Sequence, residues 1–108
     1  TDVSYEGFTF NATIEYHFAG SNLGKGGVFY GFSEDINADN YNYSTPAGFL
    51  DLGLNVIEFK TQNYRMLMGV KTYDIEHGET VYYRAYARVF TDEGSKYVYG
   101  DVKSFVMP

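Results

Sequence analysis

Asp35-Ile36-Asn37-Ala38-Asp39-Asn40 places oxygen-bearing side chains at alternate positions. Calcium loops share that spacing, because a hard cation taking about six to eight oxygens needs several side chains turned toward one point. A full EF-type loop carries Gly at its sixth position and Glu at its twelfth. Counted from Asp35, those places hold Asn40 and Pro46. Asn tolerates left-handed backbone, but Pro offers no side-chain ligand. Asp35, Asn37 and Asp39 therefore make a calcium set only with help from Glu34, Asp51 or backbone carbonyls. A solvated polar turn has the same composition. No other cofactor is expected.

The same stretch continues into Tyr41, Asn42, Tyr43 and Ser44. Tyr, Ser, Asn and Gly dominate antibody-like binding loops, since Tyr offers a large contact area at little entropic cost. Asn40, Tyr41, Asn42 and Tyr43 are thus the candidates for contact with a glycan or a protein. Ser21-Asn22 and the turn Asp92-Glu93-Gly94-Ser95 are secondary candidates. The competing reading is an exposed loop of ordinary composition. Tyr82, Arg84, Tyr86 and Arg88 form a further set that could stack sugars or pair with acidic groups. A solvated ladder held by cross-strand pairs is the alternative.

Acid–base and nucleophilic chemistry find little support. The histidines are His17 and His77, each with carboxylates nearby in sequence (Glu15, Glu76, Glu79), and no motif announces a triad. Glu34-Asp35, adjacent on a polar loop, is a poor glycosidase pair because a raised pKa needs burial. Gly24-Lys25-Gly26-Gly27 lacks the spacing of a phosphate loop and reads as a glycine turn. There is no cysteine, which removes disulfides, thiol nucleophiles and Cys-held metals. The net charge is −6 and the eight Lys and Arg residues are scattered, which argues against nucleic acid. No apolar run approaches the roughly 20 residues of a bilayer span, so no membrane insertion is expected. Thr1 opens without a signal segment, which reads as a mature form or an excised piece. An enzyme is not expected.

The elements that must carry these residues are strands. Phe10, Ala12, Ile14, Tyr16 and Phe18 alternate with Asn11, Thr13, Glu15 and His17, the period of a strand with one wet face. Val28 to Phe32 reads as a strand buried on both faces, and Asn55 to Thr61 as another alternating one. Tyr64 to Tyr73 reads as a strand, with Gln62-Asn63 a tight turn before it. Glu76-His77-Gly78-Glu79 is a further turn. Val81 to Phe90 turns Val81, Tyr83, Ala85 and Ala87 inward. Tyr97 to Val106 reads as the last strand. Tyr and Phe, 12 and nine of 108 residues, suit such pleated, half-buried surfaces. The expected core draws on Phe10, Ile14, Tyr16, Val28, Tyr30, Ile57, Phe59, Tyr83, Ala85, Val102 and Phe105.

Val81-Tyr82-Tyr83-Arg84-Ala85-Tyr86-Ala87 resembles the Tyr-Tyr-Arg-Ala-Tyr-Ala strand of fibronectin type III-like modules in Bacteroidetes surface proteins. Tyr99-Gly100-Asp101-Val102-Lys103-Ser104-Phe105 resembles their final strand, and Gly27-Val28-Phe29-Tyr30-Gly31-Phe32-Ser33 an earlier one. Ile75 to Thr80 is similar to the turn of that family, with His77 where the family prefers Pro, and Val81 takes the usual place of a corner tyrosine. The resemblance spans most of residues 27–105 and implies an all-β, immunoglobulin-like (fibronectin type III-like) antiparallel β-sandwich of seven to eight strands. One domain over residues 1–108 is expected, secreted or on the cell surface, beside neighbouring domains of the same polypeptide. The implied role is a non-catalytic structural or spacer module. The alternative is a loop-mediated binding module for a glycan or protein partner, a phage virion display domain included.

Overall fold

The structure, a computed structural model, describes residues 2–16, 24–91 and 94–108. His17, Phe18, Ser21-Asn22 and Asp92-Glu93 lie outside the described residues. Within them the chain forms strands β1 (Asp2–Val3), β2 (Gly7–Tyr16), β3 (Lys25–Gly31), β4 (Tyr43–Ser44), β5 (Gly48–Phe49) and β6 (Gly53–Gln62). There follow β7 (Tyr64–Leu67), β8 (Val70–Tyr73), β9 (Thr80–Thr91), β10 (Gly94–Tyr99) and β11 (Lys103–Val106). Every pairing is antiparallel. The smaller sheet runs β1-β2-β6, and the larger runs β10-β9-β3-β4, with β11 beside β9 and β5 beside β3. The strands β7 and β8 form a separate hairpin. No helix among the described residues is long and apolar enough to cross a membrane.

The two sheets pack face to face because their alternating strands each bring an apolar row to the same interior. Phe10 stands opposite Phe59, and Ala12 opposite Ile57. These rows meet Val28 and Tyr30 of β3 and Val81 of β9, with Ile75 and Met107 closing one end. The Phe8 ring lies 5.6 Å from Tyr30 and 5.3 Å from Phe105, in edge and tilted geometries that aromatic quadrupoles favour. Burying each such ring contributes roughly 2–3 kcal/mol. Val81, Tyr83, Ala85 and Ala87 face inward as the alternation predicts. Val102 instead packs with the aromatic cluster on the other face of the larger sheet.

Further expectations need correction. Lys25 to Gly27 is strand, paired with β9 from Lys25↔Arg88 to Gly27↔Tyr86, and not a glycine turn. The run Tyr64 to Tyr73 folds back on itself at Met68-Gly69, with Leu67 opposite Val70. Both turn residues have positive φ, 50° and 79°, as the two-residue hairpins that match strand twist require. Asn63 is buried, and its amide bonds Ile75 N–H, Ile75 C=O and Tyr5 C=O, each at 3.0 Å. It brackets three segments where the chain leaves the small sheet, so Gln62-Asn63 is no hairpin turn. The last run breaks at Gly100, whose N–H donates to Ala85 C=O at 2.9 Å. Such breaks raise the expected seven or eight strands to eleven among the described residues. The 76–79 turn does form, closed by Glu79 N–H to Glu76 C=O, with Gly78 at φ 83°.

Candidate functional site on the outer face of the larger sheet

Strand β9 turns Tyr82, Arg84, Tyr86 and Arg88 to the side away from the inner core. Register sets Tyr86 opposite Gly27 on one flank and Tyr99 on the other. A Cβ at Gly27 would stand 2.6 Å from the Tyr86 hydroxyl oxygen and 2.8 Å from its ring carbons. Glycine is needed there because the ring lies flat over its backbone. Phe29 stacks on Tyr86 at 4.0 Å, and Tyr41 stacks on Phe29 at 4.4 Å, giving a three-ring pile. Tyr97 meets Tyr86 edge-on at 5.8 Å and runs parallel to Tyr99 at 6.0 Å. The Arg84 guanidinium sits 4.7 Å over Tyr99, and that of Arg88 5.7 Å from Tyr97. Burial pushes the Tyr86 hydroxyl above its ordinary pKa.

This face was expected to be a solvated ladder. The cross-strand pairs are there, but the face is partly covered: the segment 33–41 folds over it and inserts Ile36, which is 0% exposed, so that Tyr86 is buried while Tyr82, Arg84 and Arg88 are half-buried. Ala38 N–H donates to the Tyr99 hydroxyl at 3.0 Å, and Tyr82 donates to the Glu34 carboxylate at 3.3 Å. Arg84 donates to Gly100 C=O at 2.6 Å and reaches Ile36 C=O at 3.4 Å. Within the segment, Asn37 Oδ1 accepts from Asp39 N–H at 2.8 Å, and Asn40 Oδ1 from Asn37 N–H at 2.7 Å. Asp35 accepts from the Ser33 hydroxyl at 2.5 Å and from the Asn40 amide at 3.3 Å. Chiefly the Ser33 hydroxyl holds its carboxyl below the usual range. Asx-type bonds of this kind are why Asn and Asp crowd turns.

The candidate calcium oxygens of Asp35 and Asn37 are thus hydrogen-bonded within the turn, while Asp39 is exposed. Among the described residues no three His, Asp or Glu side chains are grouped to hold a metal. The candidate binding residues separate as well. Tyr41 lies on the outer pile and is 43% exposed. Tyr43 turns the other way, stacks on Tyr30 at 5.3 Å in the inner core and reaches Asp74 C=O. Asn42 Oδ1 accepts from Phe32 N–H at 3.1 Å, pressed so close to Gly31 that a Cβ there would stand 2.2 Å from it. Asn40 is spent on the turn. At the far end His77 stacks on Tyr5 at 3.6 Å, with Nδ1 2.5 Å from Pro108 C=O.

No family model, curated protein or solved structure matches this chain.

Its role must be read from its own residues. Those that build the outer cluster but escaped sequence reasoning are Phe29, Ile36, Tyr97 and Tyr99. Two signals could have found them. Ile36 is the lone large aliphatic in a run of polar residues, and Tyr97 and Tyr99 alternate around Val98. Tyr41 is the most exposed ring of the cluster, with Tyr82, Tyr97 and Tyr99 half-buried around it. The groups beneath it are engaged with one another.

Proposed function

We propose that this chain is a non-catalytic structural module, of fibronectin type III-like type, in a secreted or cell-surface multidomain bacterial protein. The observation that carries the reading is the fate of the 33–43 segment. Its side chains, the richest in candidate chemistry, are bonded into the fold: Ile36 into the outer cluster, Asn37 and Asn40 into the turn, Tyr43 into the inner core. The strand order supports the family type. Lettered as in immunoglobulin domains, β1, β2 and β6 correspond to A, B and E. The strands β3, β9 and β10–β11 correspond to C, F and G, with β4 and β5 added beside C. The hairpin β7–β8 is then an insertion between E and F.

The exposed ring of Tyr41 favours a second reading, contact with a glycan or protein through that one plane. Tyr41→Ala separates the two. A structural ring should cost about 1 kcal/mol in urea unfolding, the worth of a stacked aromatic pair. A binding ring should leave stability unchanged while abolishing a signal on glycan and surface-protein arrays, and that result would overturn the structural reading.

A further inference from the structure

The hairpin β7–β8 stands apart from both sheets. Residues 65–72 are all exposed, so both of its faces look to solvent. A two-stranded hairpin by itself is marginal in water, and this one carries its apolar residues where water is. Met66, Leu67, Met68 and Val70 are each more than half exposed, around the reversal at Met68-Gly69. Met68 sits at φ 50°, a backbone that Asn or Gly adopts with less strain. Folding therefore gives no account of a methionine there.

Register fixes how these residues are layered. Cross-strand partners share a face, and successive rungs alternate. Leu67 and Val70 point to one face and Met66, a rung behind, to the other, so the tip is apolar all round. Behind it come cations on both faces, Lys71 beside Met66 and Arg65 beside Thr72. Tyr64 and Tyr73 close the base, with the Lys71 ammonium 4.1 Å from the Tyr64 ring centroid. Residues 64–73 include no Asp or Glu, in a chain of net charge −6. Arg65 and Lys71 do meet carboxylates, Asp74 at 2.9 Å and Glu6, but both cations keep exposed side chains.

A protein surface that takes up a hairpin flat needs one apolar face. A point apolar on every side, then cations, then tyrosines, follows the order of a lipid layer: acyl chains, phosphates, and the headgroup zone where Tyr collects. We infer that the tip enters the surface of a phospholipid layer, with Lys71 and Arg65 against lipid phosphates. From Met66 to Met68 the strand rises about 7 Å, within the roughly 5–10 Å of interfacial insertion. The backbone groups along the hairpin's outer edges, unpaired with any described strand, forbid deeper entry. The contact is interfacial and needs no bilayer-spanning run. It does not rest on the structural role proposed above.

The probe is a unilamellar vesicle of phosphatidylcholine with a minor share of phosphatidylglycerol. The isotope-labelled protein should float with it. Spin-labelled lipid should broaden the amides of residues 65–72 and leave those of β2 and β6 sharp. Met68→Asn suits the positive φ and so keeps the fold, yet it should weaken vesicle binding about tenfold, the worth of one apolar side chain. Lys71→Gln should weaken it about fivefold at low salt and leave it unchanged at high salt, where attraction to phosphates is screened. No flotation, flotation undiminished by Met68→Asn, or broadening outside the hairpin overturns the inference. Lipid-free self-association that Met68→Asn abolishes would assign the tip to a second copy and overturn it too.

Discussion

The two outer faces of the sandwich are written in the same alternating code and end covered to different degrees. On the smaller sheet Leu54, Val56, Glu58 and Lys60 of β6 point outward beside Glu15, Thr13, Asn11 and Thr9 of β2. Val56 is 76% exposed, and the Lys60–Glu58 pair at 3.2 Å lies in solvent, where such pairs contribute little. On the larger sheet Ile36 is tucked against the outward row, Tyr86 is buried, Tyr82, Arg84 and Arg88 are half-buried, and Ala38, Glu34 and Arg84 tie the covering segment down. Alternation decides which side chains share a face. Whether that face is wet depends on whether another segment folds over it.

Substituting the covering residue should break the contrast most strongly. Ile36→Ala should cost about 3 kcal/mol in urea unfolding, as buried large-to-small changes do. A loss below about 1 kcal/mol would mean that the segment does not seal the face. Gly27→Ala comes next, at about 2 kcal/mol, because the new methyl occupies the Tyr86 ring position. Shifted Tyr86 and Phe29 ring resonances with sheet amides unmoved would locate the damage on the outer face.

Acid should sharpen the contrast more gently. The Asp35 carboxyl has a folded pKa below its unfolded one, held mainly by the Ser33 hydroxyl. Its contribution is present above the unfolded carboxylate pKa of about 4 and is lost as pH falls through the lower folded value. Amide exchange in segment 33–41 should therefore rise in acid before that of β2 and β6. Simultaneous rises would contradict the assignment. Smallest of all, Val56→Thr on the bare face should shift stability by under about 0.5 kcal/mol, and a larger loss would mean that this face is covered too.

Much of the fold was legible because β-sheet side chains have a period of two. The inward row of β9, the double burial of Val28 to Tyr30 and the Phe10–Phe59 side of β2 and β6 all follow from it. Asn63 was not legible: a polar residue between apolar runs looks like a turn, and only three converging backbone segments make it a buried bracket. Nor was the hairpin tip. Met68 at positive φ stands where Asn or Asp is usual, so residue type concealed the reversal. The candidate loop was legible as unusual. Its Tyr41 and Tyr43 were not legible as facing opposite ways, because that depends on the ladder Tyr30↔Tyr43 and on the stack with Phe29.

By itself, then, the sequence determined the strand class, the in–out parity of its long strands and the crowding of Asx turns into residues 33–40, because each is local and rests on backbone stereochemistry. Tertiary structure alone decided that a loop folds over one outer face and leaves the other bare, that Asn37 and Asn40 of that loop are bonded within the turn, and that Tyr41 and Tyr43 part to opposite faces. Those outcomes depend on which distant segments meet, and a short stretch of chain carries no record of its neighbours in space.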